Sequence, residues 1–380
     1  MPQTILLVVG TRPEAIKMLP VAKALIAEPD IDIKFCVTAQ HRQMLDQALE
    51  LFDIKPDYDL DIMTSAQGLE HITTSVLSGL SDVLDEAKPN RVLVHGDTTT
   101  TMAASLSAFY KKIPVSHVEA GLRSGDTMQP WPEEINRRVV DVIADQFFAP
   151  TNRSRDNLLH ESVPSEKIHV TGNTVIDALL EISARIDDDP QLAASLAVQF
   201  QFLDHDLPIL LVTGHRRENF GAPLVSLFRA IRDLANAHNI NIVYPVHLNP
   251  NVRSAVRQVL GDVKNVHLME PLDYLPFVFL MKRSHVVLTD SGGIQEEAPS
   301  LGKPVFVMRN VTERPEAVDA GTVKLVGTDR TLIFNNLSSV LTDKDAYNSM
   351  SRAHNPYGDG KAAQRIAAIL NNRTVSEFTA

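Results

Sequence analysis

Short apolar runs alternate with helical patterns along almost the whole chain. The apolar runs predict buried strands, and the longer stretches between them predict amphipathic helices. The predicted strands of the first half are Ile5–Val9, Ile33–Val37, Arg91–His95, Pro114–Val118, Phe147–Ala149 and Ile168–Val170. The helices between them include Pro13–Ala27, His41–Leu51 and Thr98–Tyr110, with Pro13 suited to a first helical turn. This alternation is typical of a parallel, doubly wound α/β sheet.

The alternation pauses at residues 174–206, where the pattern indicates helix, an acidic break at Asp187–Pro190 and more helix. Strands then resume at Ile209–Val212, Ile240–Tyr244, Val266–Met269, Val286–Leu288, Pro304–Val307 and Val323–Val326. Two doubly wound, Rossmann-like domains explain the pause, one over residues 1–172 and one over residues 173–360. A helix at Lys361–Asn371, within the tail 361–380, is expected to pack back on the first domain.

Composition narrows the class of protein. The chain has 380 residues, too many for one ordinary core, and its 44% hydrophobic and 22% charged residues are typical of a globular protein. The net charge of −11 argues against a general nucleic-acid surface, although a local phosphate pocket remains compatible with it. The single cysteine, Cys36, excludes an intrachain disulfide. No apolar run approaches the ~18 residues that span a bilayer, and no basic leader precedes Ile5–Val9, so a cytoplasmic protein without a membrane partner is expected.

Nearly every polar cluster lies directly after a predicted strand. Ligands of open α/β sheets collect beyond the carboxyl ends of the strands. Because the clusters come from both halves of the chain, the expected site is a cleft between the two domains.

The most informative cluster is Thr289-Asp-Ser-Gly-Gly-Ile-Gln-Glu-Glu297, which leads from a strand into a helix. Backbone N–H groups at a helix start bind anions, and glycines let a phosphate approach the main chain. Glu297, further along the same helix, is placed to accept hydrogen bonds from a ribose. Since no Walker lysine signature accompanies this predicted phosphate-binding site, the pattern favours binding of a nucleotide sugar over binding and hydrolysis of ATP.

Three carboxylates of the first half, Asp97, Glu119 and Glu133, lie at strand ends or in loops. Acid–base chemistry at a carbon needs such groups at different positions around it. Structural alternatives remain open for two of them. Asp97 could cap the helix that starts at Thr98, and Glu133 could lie with Glu134 in a solvated first helical turn.

The basic and aromatic candidates also have two interpretations each. Arg12 and Lys17 suit phosphate oxygens or are solvated charges of a helix start. His215, followed by two arginines, suits a diphosphate and proton transfer or belongs to a basic loop facing water. Phe277 could stack on a base, although such a residue is more often core, and Arg314 could anchor phosphate or be an ordinary arginine.

No cofactor and no metal are expected. His95, His117 and His247 lie in or after strands, but their spacing matches no His-x-x-x-His or His-Glu-x-x-His pattern. The turn after the first strand lacks the Gly-x-Gly-x-x-Gly pattern of nicotinamide-binding proteins.

Taken together, the motifs resemble those of the non-hydrolysing UDP-N-acetylglucosamine 2-epimerase family of bacteria. The resemblance covers residues 4–372, in the family's order. Its motifs are GTRPEAIKM, TAQHRQML, HGDTTT, HVEAGLRS, PWPEEINRR, TGNTVID, TGHRREN, YPVHLNPNV, EPLDYLPF, TDSGGIQEEAPSLGKP and RNVTERPEAV.

The resemblance implies the two-domain architecture of B-type (GT-B) glycosyltransferases, an active site in the interdomain cleft and a homodimer. It implies reversible conversion of UDP-N-acetylglucosamine (UDP-GlcNAc) to UDP-N-acetylmannosamine (UDP-ManNAc). In that reaction UDP is eliminated to leave 2-acetamidoglucal and is then added back, without nicotinamide or metal. The product would supply ManNAc units for bacterial surface polysaccharide.

The resemblance also assigns residues. The catalytic set is Asp97, Glu119, Glu133 and His215. The UDP-binding set is Arg12, Lys17, Phe277, Ser291, Gly292, Gly293, Glu297 and Arg314. An allosteric site for a second, activating UDP-GlcNAc is carried over to Gln40, Gln43, Arg216 and His247. Leu272 departs from members that have glutamine there, so recognition of uracil would rest on backbone groups and Phe277.

Three rival functions share parts of this pattern. A GT-B glycosyltransferase would have the same phosphate grip, and a hydrolysing epimerase would release free N-acetylmannosamine and UDP. A catalytically silent UDP-sugar sensor would bind its ligand without exchanging the hydrogen at C2.

Overall fold

The computed structural model describes residues 2–38, 42–64, 67–214, 221–246, 249–352 and 354–379. The chain divides into two compact units, Met1–Ala178 with Tyr357–Ala380, and Leu179–Pro356. No helix in the described ranges is long and apolar enough to cross a membrane.

The first unit contains a parallel sheet of seven strands within the described residues, in the order β3-β2-β1-β4-β5-β6-β7. The strands are β1 Gln3–Val9, β2 Ile31–Val37, β3 Tyr58–Asp59, β4 Arg91–His95, β5 Val115–Val118, β6 Gln146–Ala149 and β7 Ile168–Val170. The central strands β4 and β5 are buried almost throughout because helices cover both sides of the sheet. Six of the seven match predicted strands, and β3 was not predicted.

The helices of the first unit alternate with its strands. They are α1 Arg12–Ile26, α2 Arg42–Phe52, α3 Leu69–Ala87, α4 Thr99–Tyr110, α5 Glu133–Ile143, α6 Asn152–His160 and the start of α7 Thr174–Asp188, with a 3₁₀ turn at Ser165–Lys167. Pro13 lies in the first turn of α1, as predicted. Thr11 caps this helix in a capping box with Glu14, which explains why it starts directly after β1.

The second unit repeats the plan with six described strands in the order β10-β9-β8-β11-β12-β13. They are β8 Ile209–Thr213, β9 Asn241–Pro245, β10 Val266–Met269, β11 Val286–Thr289, β12 Val305–Val307 and β13 Val323–Leu325. The helices are α8 Pro190–Val198, α9 Ala222–Ala237, α10 Pro250–Leu260, α11 Tyr274–Arg283, α12 Gly292–Ser300, α13 Pro315–Asp319, α14 Arg330–Thr342 and α15 Lys344–Ser351. The predicted α/β class, with two doubly wound parallel sheets, is confirmed.

The last helix, α16 Ala362–Leu370, packs against α1 of the first unit. The carboxylate of Asp177 accepts the N–H groups of Ala362 (3.2 Å) and Ala363 (2.8 Å), which are among the orphan donors of the helix start. This buried contact fixes the start of α16 on α7.

Each sheet has a point where the strand order reverses, between β1 and β4 in the first unit and between β8 and β11 in the second. Such switch points place ligands beside the loops that leave the two central strands. The loops at Gly10–Thr11 and Gly96–Thr98, and the segment Asp290–Ser291, occupy these positions.

Candidate active site

Glu14 joins the two switch-point loops of the first unit. The residue is only 2% exposed, and one carboxylate oxygen accepts from Gly10 N (3.2 Å), Thr11 N (2.8 Å) and Thr11 Oγ1 (2.7 Å). The other oxygen accepts from the hydroxyls of Thr98 (2.7 Å) and Thr101 (2.9 Å) at the start of α4. Sequence analysis did not single out Glu14, although the Thr11-x-x-Glu14 capping box was readable.

Glu119 lies just after β5 in a left-handed backbone conformation (φ 65°), which is uncommon for a residue other than glycine. Its carboxylate contacts Lys17 Nζ at 2.5 Å and accepts from Asn173 Nδ2 at 2.9 Å. His95 Nε2 lies 3.6 Å from the same carboxylate. Side chains from α1, from β4 and from the loop after β7 therefore converge on one acid at the end of β5.

His95 is 3% exposed, and neither of its ring nitrogens has a hydrogen-bond partner among the described residues. Buried polar atoms in folded proteins are rarely left without a partner, because losing water costs free energy. A polar ligand group beside Glu119 would supply the missing hydrogen bond.

Asp97 forms an ion pair with Arg137 of α5, and Asn136 Nδ2 donates to its backbone carbonyl at 2.9 Å. The proposal that Asp97 caps α4 is wrong, since the cap is Thr98, whose hydroxyl accepts from Thr101 N. The Asp97 side chain remains 27% exposed. It is held at the loop after β4 by α5 and is accessible to a ligand.

Glu133 and Glu134 begin α5 but have different surroundings. One buried carboxylate oxygen of Glu133 has no partner among the described residues. Glu134 is fully buried, so the expectation that both lie in a solvated turn is wrong for it. Burial alone raises the pKa of Glu134, but the N–H of Ser124 and the charge of Arg137 outweigh this and lower it. Glu134 is thus a structural carboxylate next to a candidate catalytic one.

His117, in β5, supports the loop that carries Asp97. Its Nδ1 lies 2.6 Å from Asp141 Oδ1 and its Nε2 lies 2.8 Å from the carbonyl oxygen of Gly96. Burial alone raises the pKa of Asp141, but His117 and Arg123 more than reverse this and lower it. Asp141 is therefore a carboxylate, and the His117 ring links it to the carbonyl oxygen of Gly96.

The predicted anion-binding segment of the second unit lies at the end of β11, where the chain enters α12. Ser291 is the N-cap residue of α12 and makes no side-chain capping bond. A Cβ on Gly292 would lie 2.5 Å from the Arg314 guanidinium, whereas a Cβ on Gly293 would meet nothing closer than 3.8 Å. Gly292 is thus required by Arg314, whereas a Cβ at Gly293 would make only an ordinary contact with the Glu297 carboxylate.

Arg314 is fixed by two carboxylates. Its Nε donates to Glu296 Oε1 (2.6 Å) and its Nη1 donates to Glu313 Oε1 (2.7 Å). Burial alone raises the pKa of Glu313, but Arg314 and Arg309 lower it to about 2. Arg314 is therefore not an ordinary surface arginine, because it lies against the start of α12 in a set orientation.

Glu297 accepts a hydrogen bond from the hydroxyl of Tyr274 at 2.8 Å. Burial, with the charge of Glu297, raises the pKa of Tyr274 well above its ordinary value, so the phenol stays a donor. Phe277 lies in the first turns of α11 and is half-buried, so the expectation that it is core is wrong. Leu272, just before α11, is also half-buried. Sequence analysis missed Tyr274, because only the fold brings it to Glu297.

The remaining candidates are less well defined. Arg12 is half-buried and begins α1. His215, Arg216, Gln40 and His247 lie outside the described residues, as does the side chain of Gln43. Within the described ranges, no three His, Cys, Asp or Glu side chains form a group that could hold a metal ion.

Residues 23–371 match the family model of UDP-N-acetylglucosamine 2-epimerase. The chain belongs to this family. It is 57% identical over 373 residues to UDP-N-acetylglucosamine 2-epimerase of Escherichia coli K12, with 98% of this chain and 99% of the relative covered.

Solved structures of family members agree with the fold. UDP-GlcNAc 2-epimerase from Neisseria meningitidis, bound to UDP-GlcNAc, has a TM-score of 0.93 at 52% identity, covering 98% of this chain and all (100%) of that one. The Methanocaldococcus jannaschii enzyme, in complex with UDP-GlcNAc and UDP, has a TM-score of 0.82 at 33% identity, with 97% and 100% covered. The expected GT-B class of this epimerase family is thereby confirmed.

Proposed function

We propose that this protein interconverts UDP-GlcNAc and UDP-ManNAc by eliminating UDP and adding it back. The observation that carries the proposal is the Glu119 cluster. An acid in a left-handed conformation is held by Lys17 and Asn173 beside a histidine that lacks hydrogen-bond partners among the described residues. Full-length similarity to enzymes named for this activity supports it.

The chemistry explains why several carboxylates are needed. The C2 hydrogen of the sugar has no neighbouring carbonyl to acidify it, so its removal is coupled to loss of UDP from C1. A base takes the proton, the C–H electrons form the C1–C2 double bond of 2-acetamidoglucal, and the C1–O electrons leave with UDP. Return of a proton to the opposite face of C2, with UDP re-adding at C1, inverts the centre.

In this proposal Asp97, Glu119 and Glu133 exchange the C2 proton. The Asp97 side chain is partly exposed, and one buried oxygen of Glu133 has no hydrogen-bond partner among the described residues. Both carboxylates could therefore contact a bound substrate. His117 holds Gly96, and Gly96 lies beside Glu119, since a Cβ there would be 3.8 Å from a Glu119 oxygen. The first unit thus positions acids at the ends of β4 and β5.

The departing diphosphate is assigned to the start of α12. Backbone N–H groups there, with Arg314 fixed against Gly292, stabilise negative charge as it develops on UDP. The lack of a side chain at Gly293 suits close approach of a phosphate to the main chain. Glu297, oriented by Tyr274, is the proposed ribose acceptor and Phe277 the proposed contact of uracil. Arg12, Lys17 and His215 complete the proposed set of residues around UDP.

The reaction is tested by incubating the enzyme with UDP-GlcNAc alone in heavy water and following the products by proton NMR. The expected result is UDP-ManNAc, with deuterium at C2 of both nucleotide sugars. Free N-acetylmannosamine as the first product would instead indicate a hydrolysing epimerase. Binding without exchange would indicate a sensor, and no reaction without an acceptor would indicate a glycosyltransferase.

We further propose that the enzyme is a cytoplasmic homodimer that supplies ManNAc units for surface polysaccharide. A second UDP-GlcNAc at Gln40, Gln43, Arg216 and His247 is the proposed activator. Activation predicts that conversion of UDP-ManNAc accelerates when a trace of UDP-GlcNAc is added. A rate unaffected by that addition would contradict it.

A further inference from the structure

A cavity of about 320 Å³ lies at the amino-terminal edge of the second sheet. It is lined by residues that precede β8, β11 and β12, by the first residue of β8 and by one residue of α15. The side chains that matter are Asp204, His205, Arg283, His285, Lys303 and Tyr347. The proposed UDP grip follows the opposite, carboxyl-terminal end of β11, so the cavity is a separate feature of the same strand.

The charges of this cavity are unbalanced. Within the described part of the chain, neither Arg283 nor Lys303 forms an ion pair with a carboxylate, although the chain has 47 acidic and only 36 basic residues. The neighbouring Lys282, in contrast, pairs with Asp187. Among the described residues that line the cavity, Asp204 is the only carboxylate, and one of its oxygens already accepts the backbone N–H of Asp206 at 3.0 Å.

Burial of Lys303 and His285 disfavours their charged forms. Burial, and then the nearby charge of Lys282, lowers the pKa of Lys303. Burial also lowers the pKa of His285. A hydrogen bond with the Val340 backbone opposes this shift, and the charge of Lys303 adds to it. Both shifts have the sign of cations that lack a counter-ion, and an anion in the cavity would oppose them.

The side chains around the two cations are ordered by packing. The Arg283 guanidinium lies over the Phe279 ring, 5.4 Å from its centroid, and 3.2 Å from His205 Nδ1. His285 and Tyr347 stack with their ring centroids 4.2 Å apart and an interplanar angle of 13°. Two cations thus border a stacked aromatic pair, which presents apolar surface beside positive charge.

We propose that this cavity binds a small phosphorylated metabolite, with its phosphate between Arg283 and Lys303 and its organic part against Tyr347 and His285. Guanidinium and ammonium groups are the usual protein partners of phosphate. The volume is at the lower end of small-molecule sites, about 300 Å³ and upward, which suits a sugar phosphate better than a dinucleotide.

The experiment treats the intact, folded protein with acetic anhydride and then measures acylation of each lysine by mass spectrometry of its peptides. Unprotonated amines react, so the lowered pKa of Lys303 predicts faster labelling than at an ordinary surface lysine. Glucose 6-phosphate is expected to protect Lys303 in a saturable way, at lower concentration than inorganic phosphate. Lys282 is the internal control, because it lies outside the cavity and should show no protection.

Two results would overturn the proposal. One is labelling of Lys303 that does not change with glucose 6-phosphate, or changes as much with sodium chloride of equal ionic strength. The other is equal protection by inorganic phosphate, which would remove any role for the aromatic pair. Because each lysine is read separately, phosphate binding at the start of α12 does not affect the outcome.

A variant adds a second check. Arg283→Gln, at an exposed position, should raise the concentration of glucose 6-phosphate for half-protection of Lys303 about tenfold, the loss of roughly one charge-assisted hydrogen bond. Unchanged half-protection in this variant would contradict the assignment of Arg283. Arg257→Gln, on α10 and outside the cavity lining, is the matched control.

Discussion

Arg123, Asp141 and His117 form a buried group of charged and polar side chains next to the loop that carries Asp97. This group allows a sharp test of what holds the candidate site in place. Arg123 contacts two carboxylates, Asp141 at 2.7 Å and Glu161 at 2.6 Å. The Asp141 side chain is 2% exposed and also contacts His117, whereas the Glu161 side chain is 40% exposed. Asp141→Asn and Glu161→Gln therefore each remove one charge beside the same arginine, in opposite surroundings.

We expect very different costs for the two variants. Removing one partner of a buried ion pair costs about 3–5 kcal/mol, because the remaining charges stay buried without compensation. An exposed pair contributes only about 0–1 kcal/mol. For a unit of this length, each kcal/mol shifts the melting temperature by about 2–4 °C, so Asp141→Asn should lower it by roughly 6–20 °C. Glu161→Gln should change it by no more than about 4 °C.

Calorimetry measures the stability term, and turnover of UDP-GlcNAc at a temperature where both variants are folded measures the functional one. Loss of Asp141 frees His117 from its fixed orientation, so the Gly96–Asp97 loop loses its support. Turnover should fall about 10–100-fold in Asp141→Asn, as for other residues that orient a functional group. Equal melting temperatures for the two variants, or a normal rate in Asp141→Asn, would refute the reasoning.

Three further predictions concern other parts of the chain. Gly292→Ala should displace Arg314 and weaken UDP binding measured by calorimetry, because its Cβ would lie 2.5 Å from the guanidinium. Gly293→Ala should leave the melting temperature unchanged, because its Cβ would make only an ordinary contact with Glu297 at 3.8 Å. Burial raises the pKa of Asp177 from 3.8 to about 6, so this carboxyl binds its proton more tightly in the folded protein than in the unfolded chain. The free energy of unfolding should therefore fall by up to about 3 kcal/mol as pH rises from 4 to 6. Chemical denaturation should show this loss in the unchanged protein and not in Asp177→Asn. The three proposed catalytic acids are tested by the variants Asp97→Asn, Glu119→Gln and Glu133→Gln. Each variant should lower turnover by orders of magnitude while UDP still binds. Near-normal activity in all three would overturn the assignment.

Most strands were predictable from the sequence because parallel strands that are buried on both faces are written as continuous apolar runs. β3 was not, since Tyr58–Asp59 has only two residues, neither of them buried. The acidic break at Asp187–Pro190 correctly marked the end of α7 and the start of α8, where Asp189 caps and Pro190 opens the helix.

The partners within the candidate site were not predictable. Lys17 and Glu119 are 102 positions apart in the chain, so only the order of β1, β4 and β5 in the folded sheet brings them together. Glu133 and Glu134 are the same residue type in adjacent positions, and their opposite surroundings depend on the rotation of α5 against the sheet. The motifs therefore predicted which segments of the chain carry candidate catalytic residues. The hydrogen-bond and ion-pair partners of each acid could be seen only in the folded structure.

Five acids of the first unit, apart from Glu119, fall into two groups that differ in how fully their oxygens accept hydrogen bonds. Glu14, Glu134 and Asp141 are buried and accept several hydrogen bonds from loops and arginines, so they fix backbone conformation. Asp97 retains an exposed part, and Glu133 has a buried oxygen without a partner among the described residues. Unused hydrogen-bonding capacity lets a carboxylate meet a substrate without first losing a partner, whereas a group that holds a loop needs none. On this ground, substitution in the first group should reduce stability and rate together, and substitution in the second should reduce rate alone.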